Sequence, residues 1–443
     1  MKKFLTLALA MAGALVLTAC TNSNPTGGGN LDGEIGGEIT ISTFDSMTTY
    51  PLLQEAARLF MDANPGTVVR VETFAPMPIQ TEDGRVIAGG GDARDYINMI
   101  NTELMSGRGA DILAMDILPF YEYARNGQLV NLLEFMQNDP NFNFYDYQTA
   151  LFDSLTTDRG LFVFPMVYFF WFLTYNDSMF NENQQAQLMS ESVFSFNRLL
   201  EISQPTESHL FQVGAFMQKN DVRGLFYQMF IQNYSHFIDV TNRQANFADG
   251  VFAAMLTQAA AWERNGYIQP RGGSLYATVP STTLMMAYIQ GDSRMRDIFG
   301  MSNTPRLAGV MGSDNGEAMF SISLGFGINS NSQNQQTAWE FLRFLSNEAM
   351  RQVLTVNPGL PIHIGALEER AVRLAQGVTA EAELYTALVS YLTGQLSTSF
   401  ELSTNVLMTD MVMAEAAEFF NGSRTADEVA RTLQSRISLF LSE

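Results

Sequence analysis

Hydrophobic and polar residues follow one another along the first part of the chain in an order typical of strand, helix and strand. Positions 38–44 and 68–74 alternate with a period of two, as half-buried strands do. Between them, apolar residues recur at helical spacing until the Asn-Pro-Gly sequence at 64–66 ends the helix. Two strands joined by one crossover helix run parallel, so the pattern predicts an α/β fold.

The alternation of helices and strands continues as far as residue 127. A helical pattern over 92–105 is followed by a short buried-type strand over 111–115 and by a helix that starts at Pro119. In open parallel sheets, ligands bind beyond the carboxyl ends of the strands. The dipeptides Phe44-Asp45 and Met115-Asp116 both follow predicted strands, so we expect them on one rim.

The pattern after residue 127 is less regular but contains the same kinds of element. It predicts a strand over 160–165 that leads into a crossing segment over 166–176, a mostly helical stretch over 177–300, a strand over 320–329, an amphipathic helix over 338–345 and further helices after the breaker residues 357–361. Trp339 lies inside the amphipathic helix and is expected in the core. Roughly 400 residues follow the leader. Since a single hydrophobic core usually supports fewer residues than this, we expect two lobes.

The first 19 residues contain two lysines, an apolar run and a Leu-Thr-Ala triplet before Cys20, the only cysteine of the chain. The apolar run is too short to span a bilayer. The segment resembles a bacterial lipoprotein signal, which implies a signal peptide over 1–19 and a lipid on Cys20. An ordinary secretory signal followed by a chance cysteine is the alternative. Residues 20–37 are rich in Asn, Ser, Gly and Pro, and we expect a flexible tether there.

Composition narrows the chemistry that the folded part can perform. The formal charge of −21 argues against nucleic acid and anionic membranes as partners. A single cysteine at the leader leaves no thiol for disulfides or nucleophilic catalysis. The three histidines are scattered without metal-ligand spacing, and the triple glycine at 89–91 lacks the Lys-Ser/Thr of a phosphate loop. We therefore expect neither a metal nor a cofactor.

Several segments, in order along the chain, resemble the extracellular solute-binding proteins of ABC importers, in the maltose-binding-protein-like, sugar-binding group. They are Glu55-Ala-Ala-Arg-Leu-Phe60 with the stop at 64–66, Leu104-Met-Ser-Gly-Arg-Gly-Ala-Asp-Ile-Leu113, Tyr121-Glu-Tyr-Ala-Arg-Asn-Gly-Gln-Leu129, Thr174-Tyr-Asn176, Gly327-Ile-Asn329 with Ala338-Trp-Glu-Phe-Leu342, and Gly359-Leu-Pro-Ile362. Residues 181–300 match the family pattern poorly.

The resemblance implies a type II clamp of the periplasmic-binding-protein kind, with two lobes that are each a sheet flanked by helices. The chain would cross the hinge three times, near Met166–Trp171, Ser321–Leu324 and Pro358–Pro361. Lobe 1 would comprise 38–167 plus 322–357, and lobe 2 would comprise 168–321 plus 358–443. It further implies a monomeric, lipid-anchored, extracytoplasmic receptor that is not an enzyme and that delivers a small solute to the membrane subunits of an ABC importer.

A neutral sugar offers hydroxyls and apolar ring faces, so its site needs carboxylates or amides and aromatic planes. The candidate ligand-binding residues are Asp45, Asp116, Phe44, Met115, Tyr168, Phe170, Trp171, Trp262 and Phe326. Each has a structural alternative: helix capping or solvation for the carboxylates, and core packing for the others. Alternation puts Tyr168 and Phe170 on one strand face and Trp171 on the other, and the sequence leaves open which face lines a cleft.

Two other functions remain open from the sequence. The same fold could bind a peptide, a polyol or a metal chelate instead of a sugar. An exported glycoside hydrolase would need two carboxylates about 5–9.5 Å apart across a cleft. The many Asp and Glu residues permit such a pair, but no local motif indicates it.

Overall fold

The structure is a computed structural model that describes most of the chain. The residues it describes are 35–44, 49–75, 79–80, 86–87, 91–175, 180–203, 211–212, 222–240, 242–267, 276–280, 306–314, 316, 318, 320–346, 359–374, 389 and 406–442. The leader, Cys20 and the tether up to residue 34 therefore lie outside the described residues, as does Asp45.

Strands and helices alternate over most of this length. The strands are β1 Gly37–Thr43, β2 Thr67–Thr73, β3 Ile79–Gln80, β4 Val86–Ile87, β5 Ile112–Ala114, β6 Phe164–Tyr175, β7 Val193–Phe194, β8 Phe211–Gln212, β9 Ile238–Asp239, β10 Gln244–Ala245, β11 Tyr276–Pro280, β12 Arg306–Met311, β13 Phe320–Ile328 and β14 Leu360–Pro361. The helices are α1 Thr49–Ala63, α2 Ala93–Met105, α3 Phe120–Arg125, α4 Leu132–Asn138, α5 Thr149–Leu155, α6 Glu182–Ser190, α7 Phe196–Ser203, α8 Val222–Gln232, α9 Tyr234–Phe237, α10 Val251–Arg264, α11 Gln335–Leu345, α12 Ile364–Leu374, α13 Val406–Phe420 and α14 Ala426–Ser442.

The amino-terminal part forms as its hydrophobic pattern predicts. Strands β1 and β2 pair in parallel over their whole length, and β1 also pairs in parallel with β5. Asp92 caps α2, and its side chain accepts a hydrogen bond from the backbone N–H of Arg94. The face of α2 expected from helical spacing, which includes Tyr96 and Ile100, is buried. The predicted parallel α/β unit is confirmed.

Strand β6 holds the sheet together, because it pairs with a different set of strands along each half. Its first half pairs antiparallel with β13, and its second half pairs antiparallel with β11 and β12. Strand β14 pairs with β6 at Val167 and Tyr168. Among the described residues, ten strands thus belong to one sheet. The three predicted crossing segments therefore lie next to one another at the middle of β6.

The sequence misplaced the start of β6. The alternation predicts a strand from residue 160, but the strand begins at Phe164. Before it, Thr157 and Gly160 bridge in a tight turn, and the backbone N–H of Leu161 donates to the side chain of Asn131 instead of to a neighbouring strand. The N–H of Leu161 is thus bonded to the Asn131 side chain and not to the backbone of a neighbouring strand.

Trp339 on α11 confirms its predicted place in the core. It is 0% exposed and lies within 5.8 Å, centroid to centroid, of the rings of Phe135, Phe142 and Phe164. Its indole N–H donates to Asp139 Oδ2 at 2.9 Å, so the polar edge of the ring is also satisfied.

No helix in the described ranges has the length and the apolar run that crossing a membrane requires.

Candidate functional site

The carboxyl ends of β1, β2 and β5 meet at one edge of the sheet, as the sequence predicts. Thr43 at the end of β1 is level with Thr73 of β2, and Ser42 is level with Leu113 of β5. The residues that follow these strands therefore form one rim. Phe44 follows β1, Phe74 and Ala75 follow β2, and Met115 and Asp116 follow β5.

Phe44 presents a partly exposed aromatic ring on this rim. Its centroid is 6.3 Å from that of Phe74, with the two rings stacked, and 5.7 Å from that of Tyr96. Gly91 lies against the same rings, because a Cβ there would be 2.9 Å from Phe74 and 3.3 Å from Phe44. The ring is thus held from behind by other aromatics while part of it stays accessible, which suits stacking on the apolar face of a solute.

Tyr96 supports the rim from beneath. Its side chain is fully buried, and its hydroxyl is 3.1 Å from the hydroxyl of Ser42. Burial raises the pKa of Tyr96 far above the ordinary value, and the hydrogen bond to Ser42 only partly opposes this. The phenol therefore stays neutral and serves as packing and as a hydrogen-bonding partner.

Asp116 provides a carboxylate on the same rim. The hydroxyl of Thr49, at the start of α1, donates to Asp116 Oδ2 at 3.5 Å, and the residue is half-buried. Asp45, the predicted partner carboxylate, lies outside the described residues. The rim therefore combines one aromatic plane with one carboxylate, the two kinds of group that the sequence predicts for a sugar site.

Four of the predicted ligand-binding side chains lie in the core instead of on the rim surface. Met115, Tyr168 and Phe326 are 0% exposed, and Trp262 is 3% exposed. Phe326 lies in β13 opposite Ala114 and Phe164. In this conformation a solute cannot reach these side chains, and we assign them to packing. Phe170 and Trp171 lie in β6 at the crossing, and their side chains lie outside the described residues.

The sequence missed a groove that runs along α2 and α3. It encloses about 330 Å³ and is closed on the other side by residues of the carboxyl-terminal helices α13 and α14, among them Leu407 and Phe440. An ion pair between Arg94 of α2 and Asp410 of α13, at 2.9 Å, lies across the same interface. The two residues are 316 positions apart, so no local signal in the sequence could have paired them.

No group of side chains in the described ranges could hold a metal ion. His236 instead contacts Asp249, with Nε2 2.8 Å from Oδ2, and His363 is buried beside the ring of Tyr147. The third histidine, His209, lies outside the described residues.

Comparison with known proteins gives a family and a fold. The family model of bacterial extracellular solute-binding proteins matches residues 72–366. An ABC substrate-binding protein of Listeria monocytogenes in complex with cycloalternan is 14% identical, with 92% of this chain and 99% of that chain covered and a TM-score of 0.58. Maltose-bound MalE3 of T. maritima is 14% identical, with 91% and 99% covered and a TM-score of 0.54. A periplasmic oligogalacturonide-binding protein of Yersinia enterocolitica in complex with saturated digalacturonic acid is 13% identical, with 91% and 98% covered and a TM-score of 0.56. A search of curated proteins found no significant match.

At these identities the likeness to solved structures shows the fold alone. It confirms the predicted α/β fold, since the similar structures are two-lobe solute-binding proteins of the MalE type. The family model covers more than half of the chain, which confirms the resemblance found in the sequence motifs. The chain belongs to the family of bacterial extracellular solute-binding proteins.

Proposed function

We propose that this protein captures a sugar or oligosaccharide in the cleft between its two lobes and delivers it to an ABC importer. The family is extracellular, which implies an extracytoplasmic location. Similar structures hold cycloalternan, maltose and digalacturonic acid, and these support a carbohydrate as the solute class. The observation that carries the proposal is the rim, where the Phe44 ring and the Asp116 carboxylate follow adjacent parallel strands.

The lobes of this proposal divide at the middle of β6. Lobe 1 comprises 38–167 plus 322–357, and lobe 2 comprises 168–321 plus 358–443. The change in pairing partners along β6 supports the division, because β13 pairs with its first half and β11 and β12 pair with its second half. Rotation of the lobes about these crossings would close the cleft over the solute.

The anchor is a lipid on Cys20. The lipoprotein-like leader supports it, and the tether over 20–37 would hold the folded body away from the membrane. Mass spectrometry of the protein from a membrane fraction tests this proposal. A chain that begins at Cys20 with an added diacylglycerol mass supports it, and a chain cut elsewhere without lipid contradicts it.

The solute is tested by thermal shift of the purified full chain against oligosaccharides, monosaccharides, polyols, metal chelates, amino acids and peptides. A ligand at 100 times its Kd stabilises the protein by about 2.7 kcal/mol. With the ligand found, Asp116→Ala is expected to weaken binding while the melting temperature of the free protein stays nearly unchanged. Asp153→Ala is the control, since Asp153 is exposed on α5, away from the rim.

The outcomes separate this proposal from its two alternatives. Stabilisation by a carbohydrate that is not consumed supports the sugar receptor. Stabilisation by a peptide, polyol or metal chelate alone would assign the same fold to another solute. A sugar that is hydrolysed in the assay would identify the glycoside hydrolase. An affinity unchanged in Asp116→Ala would remove Asp116 from the site.

A further inference from the structure

A second cavity lies where the end of α3 meets the hairpin formed by β9 and β10. It encloses about 160 Å³, and Arg125 and Arg159 line it on the side of α3 and the turn before β6. Val240 and Asn242 of the hairpin line it on the opposite side. In the proposed division of the chain, the first two residues belong to lobe 1 and the last two to lobe 2.

Two arginines, Arg125 and Arg159, line this cavity, and the charge of a third, Arg243 of the hairpin, acts on Arg125. The Arg159 guanidinium donates from Nη1 to the backbone carbonyl of Arg125 at 2.7 Å, which holds the two residues together. Burial and the positive charges of Arg243, at the hairpin, and of Arg159 lower the pKa of Arg125. Like charges held close together in a partly buried site repel one another, and this repulsion costs free energy unless an anion joins them.

Among the described residues, the arginines at this cavity are not paired with carboxylates, whereas seven other arginines are. Within the part of the chain that the structure describes, none of the three makes an ion pair, and Arg125 Nε is buried without a hydrogen-bond partner. Asp158 lines the cavity, and the charge of Glu122 acts on Arg125, but neither lies within ion-pair distance of the three guanidinium groups. Several other arginines of this acidic chain do pair with carboxylates. Such paired arginines are Arg58, Arg70, Arg94, Arg198, Arg343, Arg424 and Arg436.

The hairpin holds Arg243 in an unfavourable backbone conformation. Its φ of 55° is the one positive value among the non-glycine residues that the structure describes, and this conformation costs about 1–2 kcal/mol. Asp239 fixes the tip by accepting hydrogen bonds from both the backbone and the side chain of Asn242. Gln434 of α14 fixes the base by donating to the carbonyl of Ala245. Backbone strain that the surroundings impose in this way is typical of functional sites.

We propose that this cavity is a binding site for a small oxyanion, a carboxylate or a phosphate group, held by Arg125 and Arg159 and attracted in addition by the nearby charge of Arg243. Planar guanidinium groups bind such oxygens in pairs, and the buried, unpartnered Nε of Arg125 is available as a donor. The volume suits one small anion and is below the range of pockets for larger ligands. The site is distinct from the rim, because none of Phe44, Met115 and Asp116 lines the cavity.

The proposal is tested by isothermal titration of the full chain with inorganic phosphate and, separately, with galacturonate, in a buffer without other oxyanions. The test variants are Arg125→Gln and Arg243→Asn, because Asn tolerates the positive φ at that position while removing the charge. Arg264→Gln is the matched control, since Arg264 is exposed at the end of α10 and makes no ion pair with the described residues. Circular dichroism confirms that each variant is folded.

We expect binding that weakens about tenfold or more in both test variants and stays unchanged in the control. Binding of phosphate alone would assign the site to a phosphate group, and binding of galacturonate alone would assign it to a carboxylate. The absence of heat with both probes would overturn the proposal, as would equal affinity in the wild type and the two test variants. The proposed sugar site does not enter this test, because Asp116 and Phe44 are unchanged in every variant.

Discussion

Replacing Gly160 by alanine tests how the turn before β6 is built. Gly160 has a φ of +132°, and a methyl group on its Cα would overlap the side-chain amide of Asn131. That amide oxygen accepts hydrogen bonds from the backbone N–H groups of Leu133, at the start of α4, and of Leu161. Gly160→Ala therefore perturbs both the backbone of the turn and the cap of the neighbouring helix.

The size of the effect follows from three contributions. Backbone strain at such a φ costs about 1–3 kcal/mol for a residue other than glycine. Displacing Asn131 removes a helix cap worth about 1 kcal/mol and a hydrogen bond to Leu161 worth about 0.5–1.5 kcal/mol. We expect Gly160→Ala to lower the free energy of unfolding by about 4 kcal/mol.

Gly127→Ala is the matched control for this prediction. Gly127 also has a positive φ, +67°, but no atom lies within 4 Å of the position that a Cβ would take. That φ lies in the left-handed helical region, where alanine costs about 1–2 kcal/mol. The difference between the two variants therefore isolates the displacement of Asn131 and the additional backbone strain.

Equilibrium unfolding in urea, followed by circular dichroism, measures both variants against the wild type. A difference of about 2–3 kcal/mol between Gly160→Ala and Gly127→Ala is expected. Two variants of equal stability would refute the reasoning, because they would mean that Asn131 can move away from the methyl group without loss.

Three further substitutions test the core and the interface across the groove. Trp339→Phe removes the hydrogen bond to Asp139 and part of a buried ring, and is expected to lower the free energy of unfolding by about 1–3 kcal/mol in the same urea titration. Burial raises the pKa of Tyr147 to about 12. The stabilisation from its neutral, buried phenol is therefore complete below pH 10 and is lost as the pH rises through 12. Tyr147→Phe should reduce the slope of the unfolding free energy against pH in that window by about 1.4 kcal/mol per pH unit. Arg94→Gln removes an exposed ion pair with Asp410 and is expected to shift the midpoint of the urea titration only slightly, with the difference disappearing at high salt.

Local periodicity was enough to predict β1, α1, β2, α2, β5 and α3. The buried face of α2, the parallel pairing of β1 with β2 and the stop of α1 at 64–66 all depend on residues close in sequence. The same is true of α11, where helical spacing placed Trp339 in the core. These signals suffice because each element buries one face against a neighbour that the crossover connection brings beside it.

The site was predicted less well, because a strand pattern gives the position of a side chain but not the depth at which it is buried. Phe44 and Met115 both follow strands, yet Phe44 remains partly exposed while Met115 is fully buried. Strand β13 lies between β5 and β6, and Phe326 on it lies level with Ala114 at the end of β5. The sequence could not predict this antiparallel insertion, since about 200 residues separate the paired positions.

Irregular pairing between β13 and β6 indicates where the proposed hinge lies. Strand β6 runs without a break through both proposed lobes, so rotation of one lobe against the other must bend it. The pairing of β13 with β6 shifts register between Ile322 and Leu324 and again between Leu324 and Gly325. Such irregularities break the ladder of hydrogen bonds and increase local bending and twist. They lie beside Val167, where β14 also pairs, so the proposed rotation would bend β6 at the three adjacent crossings.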